Sequence, residues 1–410
     1  MSRSGCLSRA KARGSRTLRP DKLSALIPLT PTAVNRILAE IRQVQAQGRN
    51  VISLMRGEPD FDTPAHIAAA AVAAITAGRT RYPDNRGEPT LREAIATKLA
   101  RDNQVRYDPA SEILVTTGAT LGIHSALTAL LEPGDEVIVP EPIYDAYQSP
   151  IRLAGGQVRF AAATLANGRF SLSMDALAAA VTPRAKVLLL NTPWNPVGTV
   201  LTREELTTVA EFVLRHNLTL ISDEIYEAIT YDGCRHISPA SLGPEIQART
   251  IIVNSLSKTY AMTGWRAGYC AGPAATIQQM FLALQQSSRG PATFVQDAAA
   301  AALSGSQACV ETMRTEYARR RQQVIDTLRD LPRVQVLAPE GGFFAMLDVR
   351  DLGVGSDELR RRLLHDAGVS VVHGAAYGPT GEGTLRVSFG SGGQTLTDGL
   401  QRLRDGLQAP

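Results

Sequence analysis

Between residue 64 and about residue 294, short runs of consecutive apolar residues alternate with longer stretches of helical periodicity. Residues 112–116, 136–139, 186–190, 218–222 and 250–254 read as strands. Their apolar residues follow one another without alternation, so both faces of each strand must be covered. Strands separated by helices predict a mainly parallel α/β sheet with helices on both sides. In such a sheet, ligands gather beyond the carboxyl ends of the strands.

The flanking segments read differently. Val34, Ile37, Leu38, Ile41 and Val44 recur at three- and four-residue spacing between Thr30-Pro31 and Gly48, which predicts an early amphipathic helix. A long helix is expected over about 306–330, strands at 334–337, 343–349, 369–372 and 384–389, and a helix at 357–365. A chain of 410 residues has room for two cores. The expected division is a basic disordered tail at 1–25, a segment at 26–60 that packs with the smaller domain, a large domain at 61–294 and a smaller α+β domain at 295–410.

Composition narrows the function. Arg3, Arg9, Lys11, Arg13, Arg16 and Arg19 outweigh the whole formal charge of +4, so the remainder is near neutral and gives no reason to expect nucleic acid or an anionic membrane as partner. No apolar run approaches the roughly 18 residues of a membrane helix. Cys6, Cys234, Cys270 and Cys309 are scattered without metal-ligand or disulfide spacing, which favours a reducing, cytoplasmic setting. The acid-free start resembles an organelle transit peptide only in composition; a disordered tail is the simpler reading.

Four motifs follow predicted strands. Ser255-Leu256-Ser257-Lys258-Thr259-Tyr260 continues to Arg266. A lysine just beyond a buried strand can be desolvated, which frees a neutral amine for imine formation, while two hydroxyls and an arginine supply phosphate donors. Ser222-Asp223-Glu224-Ile225-Tyr226 lies 35 residues earlier. A carboxylate buried at a strand end needs a cationic partner, such as a pyridinium nitrogen, although Asp223 reads equally well as a helix cap. Thr117-Gly118-Ala119-Thr120 joins a strand to a helix and suits a phosphate cradle, but Gly-containing turns of this kind are common. Asn191-Thr192-Pro193-Trp194-Asn195-Pro196 holds Asn195 between prolines, which aims its amide or simply makes a Pro-rich turn. Together they offer an amine, an acid, phosphate donors and an amide donor at one sheet edge.

On these motifs the sequence resembles the class I aminotransferases of the aspartate aminotransferase superfamily, or fold type I, over roughly residues 50 to 400. The resemblance implies pyridoxal 5′-phosphate as cofactor and residues 61–294 as its domain. It implies that Lys258 is the Schiff-base lysine and proton carrier, that Asp223 partners the pyridine nitrogen, and that Asn195 and Tyr226 donate to the ring oxygen. It implies that Tyr144 stacks on the ring, and that Gly118, Ala119, Thr120, Ser255, Ser257 and Arg266 hold the phosphate. Tyr82 matches a tyrosine that reaches the neighbouring subunit's phosphate, which implies a homodimer with shared sites. Gly57 matches a backbone contact near the substrate, and Arg386 the clamp on its α-carboxylate.

The reaction so implied moves an amino group from an L-amino acid to a 2-oxo acid, with features similar to both aspartate-type and arginine–pyruvate-type members. Val197 and Trp194 depart from the family pattern without touching the core chemistry. Arg56 and Arg289 are unusual charges near expected active-site loops, read either as substrate selectors or as solvated groups. Two rivals stand beside this reading. A carbon–sulfur lyase would use the same lysine and aspartate, whereas a regulatory sensor would need a DNA-binding domain of about 60 residues, more than the roughly 30 residues before the first helix allow.

Overall fold

The computed structural model describes residues 31–408, so the basic tail expected at 1–25 lies outside the described residues. A seven-stranded sheet forms from β1 (Ile113–Thr116), β2 (Glu136–Glu141), β3 (Gln157–Ala162), β4 (Ala185–Asn191), β5 (Thr219–Asp223), β6 (Thr250–Ser255) and β7 (Gly268–Ala271), in the spatial order β1-β7-β6-β5-β4-β2-β3. β3, β2, β4, β5 and β6 run parallel, while β7 lies antiparallel between β6 and β1. Register sets Asn191 beside Asp223, Asp223 beside Val253, and Gly268 between Ser255 and Thr116. The carboxyl ends of β1, β4, β5 and β6 therefore open on one edge.

Both faces of this sheet are covered, which is why its strands lack polar alternation. In β1, Ile113 and Val115 pack with Ile67, Leu91, Ile95, Ala298 and Ala302. Leu114 points the other way, toward Ile123 and Leu127 of α2 (Ala119–Leu130) and toward Ile277 and Met280. Further along, Leu188, Leu190 and Leu220 meet Leu206, Val209 and Phe212 from the helix Arg203–Arg215.

The smaller sheet has four antiparallel strands, β8 (Gln335–Leu337), β9 (Phe344–Asp348), β10 (Val372–His373) and β11 (Thr384–Ser388), in the order β8-β9-β11-β10. Its apolar face packs with α3 (Ala308–Leu328) and α4 (Gly393–Gln408) through Tyr317, Val324, Leu347, Leu385, Val387, Leu400 and Leu403. The run expected as one strand at 369–372 instead serves two pairings: Val369 and Ser370 pair in parallel with Ile52 and Ser53, and Val372 and His373 join β11.

The early helix, α1, covers Ala33–Ala46 and is capped by Thr32, whose hydroxyl accepts from the Asn35 amide at 3.3 Å. Its Ile37, Ile41 and Val44 pack with Met55, Leu364, Val372 and Tyr377. This brings the start of α1 to the edge where the large sheet's strands end.

Candidate active site

At that edge lies a cavity of about 570 Å³. Its lining includes Ala119 and Thr120 after β1, Asn191 at the end of β4 with Asn195 beyond it, Asp223 at the end of β5 with Tyr226 beyond it, and Ser255 at the end of β6 with Ser257, Lys258 and Arg266 beyond it. Tyr144 and Tyr147 from the segment after β2, Gly57, and Arg386 from β11 complete it. Among the residues singled out from sequence, the structure gathers all of these. Gly118 lies immediately behind, with a backbone φ of +83°, and a Cβ there would stand 2.7 Å from Arg266 Nη2. Only glycine lets the turn come this close to the guanidinium.

Asp223 ends β5 and is buried. One carboxylate oxygen accepts from the Tyr147 hydroxyl at 2.6 Å, the other from the Ile225 amide at 3.2 Å. Burial raises its pKa to about 6, and these two bonds oppose the rise. Asn191 donates to the Asp223 carbonyl at 2.9 Å and accepts from the Asn195 amide at 2.7 Å, tying the loops after β4 and β5 together.

Lys258 sits one helical turn beyond β6, and its Nζ donates to the Gly57 carbonyl. Burial lowers the amine to about 8; Glu58 and Asp223 oppose this, while Arg266 and Arg386 reinforce it. The Ser255 hydroxyl accepts from the Ser257 amide at 3.1 Å, donates to the Ala267 carbonyl at 2.9 Å and bonds the Ser257 hydroxyl at 2.8 Å, which folds the turn before Lys258 back on itself. Arg266 adopts a left-handed φ of 57° and donates to the Thr263 carbonyl at 3.0 Å, leaving the rest of its guanidinium toward the cavity.

Arg386 is buried, with Nη1 donating to Asn195 Oδ1 and Nη2 to the Met55 carbonyl, each at 3.1 Å. Its Nε has no partner. Tyr226 packs edge-on against Phe343 and Phe344, and burial pushes its phenol well above the usual range. Tyr144 meets Tyr147 edge-on, with ring centroids 5.3 Å apart. Among the described residues, none of Lys258, Arg266, Arg386 and Asp223 takes part in an ion pair within 4 Å. Beside the Arg56–Glu58 pair and the buried Asp145, which also line it, the cavity thus presents Lys258, Arg266, Arg386 and the buried Asp223 with capacity left over.

Two singled-out residues stand outside it. Tyr82 is 84% exposed, and the Arg289 guanidinium lies 5.3 Å from its ring, on the surface of this chain. Arg56 does line the cavity, where it pairs with Glu58 at 2.7 Å. Sequence reasoning passed over Tyr147 and Asn191 as site residues. The only signal was proximity to named ones, since Tyr147 follows Tyr144 by one short helical turn and Asn191 opens the Pro-rich motif.

Comparison with known proteins agrees with this geometry. The family model for aminotransferase class I and II matches residues 49–403. An aspartate aminotransferase from Geobacillus stearothermophilus is 38% identical over 93% of this chain and 97% of its own length. An arginine–pyruvate transaminase from Pseudomonas aeruginosa is 40% identical over 90% of this chain and 92% of its own. The crystal structure of the aspartate aminotransferase from Rhizobium meliloti superposes with a TM-score of 0.91 at 34% identity, covering 95% of this chain and 99% of that one. With the family model spanning most of the chain and the fold and sequence agreeing along nearly its whole length, the chain belongs to the aminotransferase class I and II family and is a transaminase.

Proposed function

We propose that the cavity binds pyridoxal 5′-phosphate and that the enzyme moves an amino group from an L-amino acid to a 2-oxo acid. The observation that carries this is the complement of unpaired charges in one cavity. A cofactor with an aldehyde, a protonated ring nitrogen and a phosphate matches a lysine amine, a buried aspartate and an arginine beside a glycine turn. A substrate carboxylate matches the remaining arginine, whose Nε is buried without an acceptor.

When bound, the cofactor supplies a carbonyl that bonds to amines and a ring that takes up the electron pair left on the substrate α-carbon. Lys258 provides the amine that tethers it and then carries the proton off and onto carbon. Its lowered pKa keeps a share of that amine neutral near pH 7. Asp223, held by Tyr147, keeps the ring nitrogen protonated. Asn195 and Tyr226 donate to the ring oxygen, and Tyr144 flanks the ring. Gly118, Ala119, Thr120, Ser255, Ser257 and Arg266 receive the phosphate. Gly57 borders the substrate through its carbonyl, and Arg386 clamps the carboxylate.

The same reading assigns residues 61–294 to a cofactor domain and 295–410 to a smaller domain, with the helix Ala33–Ala46 of the 26–60 segment packed on the latter, while 26–30 lie outside the described residues. It also assigns exposed Tyr82 to the phosphate of a second subunit, making the enzyme a homodimer. Free thiols at Cys234, Cys270 and Cys309 are in keeping with a cytoplasmic setting. An aspartate or an arginine donor would be in keeping with the relatives named aspartate aminotransferase and arginine–pyruvate transaminase.

The test is a half-reaction screen. Purified enzyme loaded with pyridoxal phosphate is mixed with each of the twenty amino acids, and the cofactor absorbance is followed. Conversion to the amine form with one oxo acid released per site is expected. Release of ammonia or a thiol in place of that conversion would refute amino transfer.

A further inference from the structure

Behind the phosphate turn, on the side away from the cavity, lies a buried polar network. Asn254 is the penultimate residue of β6, and it is 2% exposed and absent from the cavity lining. Its Oδ1 accepts from the Ser255 amide at 2.7 Å, while its Nδ2 donates to Glu227 Oε1 at 2.8 Å. Glu227 also accepts from Lys98 Nζ, and its Oε2 accepts from Asn103 Nδ2 at 2.7 Å. Asn103 Oδ1 in turn accepts from Lys98 Nζ at 2.7 Å. Every polar group along this path therefore has a partner, and the orientation of the Asn254 amide is determined: its oxygen must face Ser255, because its nitrogen must face a carboxylate.

We infer that Asn254, braced by Glu227, is a positioning residue that holds the Ser255–Ser257 turn in the conformation that receives the cofactor phosphate. The Ser255 amide is committed inward to Asn254, and the Ser255 hydroxyl accepts from the Ser257 amide, donates to the Ala267 carbonyl at 2.9 Å and bonds the Ser257 hydroxyl at 2.8 Å. Loss of the Asn254 oxygen frees the Ser255 amide to rotate and disturbs each bond that depends on its plane. A burial-only role would not require this chain of directed bonds. A core filler at that position would satisfy the packing and leave the Ser255 amide unpaired, which a buried donor does not tolerate.

The inference rests on the proposed phosphate role of this turn, so the experiment separates the two. Full-length enzyme freed of cofactor is titrated with pyridoxal 5′-phosphate and, separately, with unphosphorylated pyridoxal, both read by absorbance. Arg266→Ala serves as the control for the phosphate reading. Asn254→Ala is expected to weaken pyridoxal phosphate binding about tenfold, the effect of one lost directed hydrogen bond, while pyridoxal binding stays within about twofold. Asn254→Asp sets two carboxylates face to face and should behave similarly. If Arg266→Ala lowers phosphate discrimination but the Asn254 variants leave it unchanged, the positioning role is overturned and the phosphate site stands. Equal loss for both ligands would also overturn it. Failure of Arg266→Ala itself to alter discrimination would instead refute the phosphate reading.

Discussion

Asp223 and Arg386 show how single residues carry the tension between stability and function. Burial raises the Asp223 pKa from 3.8 to about 6, so the folded protein favours the protonated form more than the unfolded chain does. The folded state therefore bears a penalty that is absent at low pH and complete above about pH 6. Relative to the parent, the stability of cofactor-free Asp223→Asn should accordingly rise between low pH and pH 8 by on the order of 3 kcal/mol, the constant cost of leaving one of the two donors, Tyr147 or Ile225, without its acceptor cancelling in that comparison. Urea denaturation at both pH values measures this; a difference that does not grow with pH would refute the account. Arg386 already spends two nitrogens on Asn195 and Met55, and only a planar fork can do this while also presenting a paired face to a carboxylate. Arg386→Lys should lower kcat/KM roughly 30- to 100-fold, by a similar factor for acidic, basic and apolar amino acids. A loss confined to one substrate would assign Arg386 to side-chain recognition instead. Lys258 and Asp223 stood out in local motifs, whereas Arg386 was named only through the family resemblance. Tyr147 was not legible, because its bond to Asp223 crosses 76 positions, and nothing in the spacing tells which tyrosine of the segment turns inward.

At the scale of elements, the parallel strands were readable because burial on both faces leaves an uninterrupted apolar run. Two strands of this sheet went unread, the first because it breaks that rule and the second, though buried throughout, because it is short and opens on a glycine. β3 is an edge strand with mostly exposed or half-exposed residues, and β7, four residues long, directly follows the motif that ends at Arg266. α4 was missed despite Leu396, Leu400, Leu403 and Leu407 at helical spacing, since Gly399 and Gly406 interrupt it with poor helix formers. Both glycines sit where a Cβ would crowd Leu54 or Leu363, so close packing takes precedence over propensity. Gly268 opens β7 under similar pressure: a Cβ there would lie 2.8 Å from the Gly118 carbonyl carbon and 2.9 Å from the Asn254 carbonyl oxygen. These neighbours are backbone and cannot swing aside. Gly268→Ala should destabilise the protein by about 1–3 kcal/mol through overpacking and should weaken cofactor binding by shifting the Gly118 turn. Thermal melting with and without pyridoxal phosphate would detect both effects, and an unperturbed melt would refute the packing argument.

For the whole molecule, the sequence conveyed the order of layers, whereas the pairing of Val369 and Ser370 with a strand some 300 residues earlier needed coordinates. The proposed dimer can be tested by mixing subunits. If Tyr82 serves the partner's site, Lys258→Ala and Tyr82→Ala subunits combined in one dimer leave one site with both native residues. Refolded mixtures should then exceed the sum of the separate activities, whereas strict additivity would place Tyr82 outside the catalytic unit. A related consequence follows from the bond between Arg386 and the Met55 carbonyl, which spans 331 positions. The lysine, the aspartate and the glycine turn all leave the ribosome well before Arg386 does. A nascent chain can thus assemble the tethering end of the site while it still lacks the arginine proposed to secure a substrate carboxylate, so on that proposal turnover can begin only after Arg386 has emerged and reached Met55.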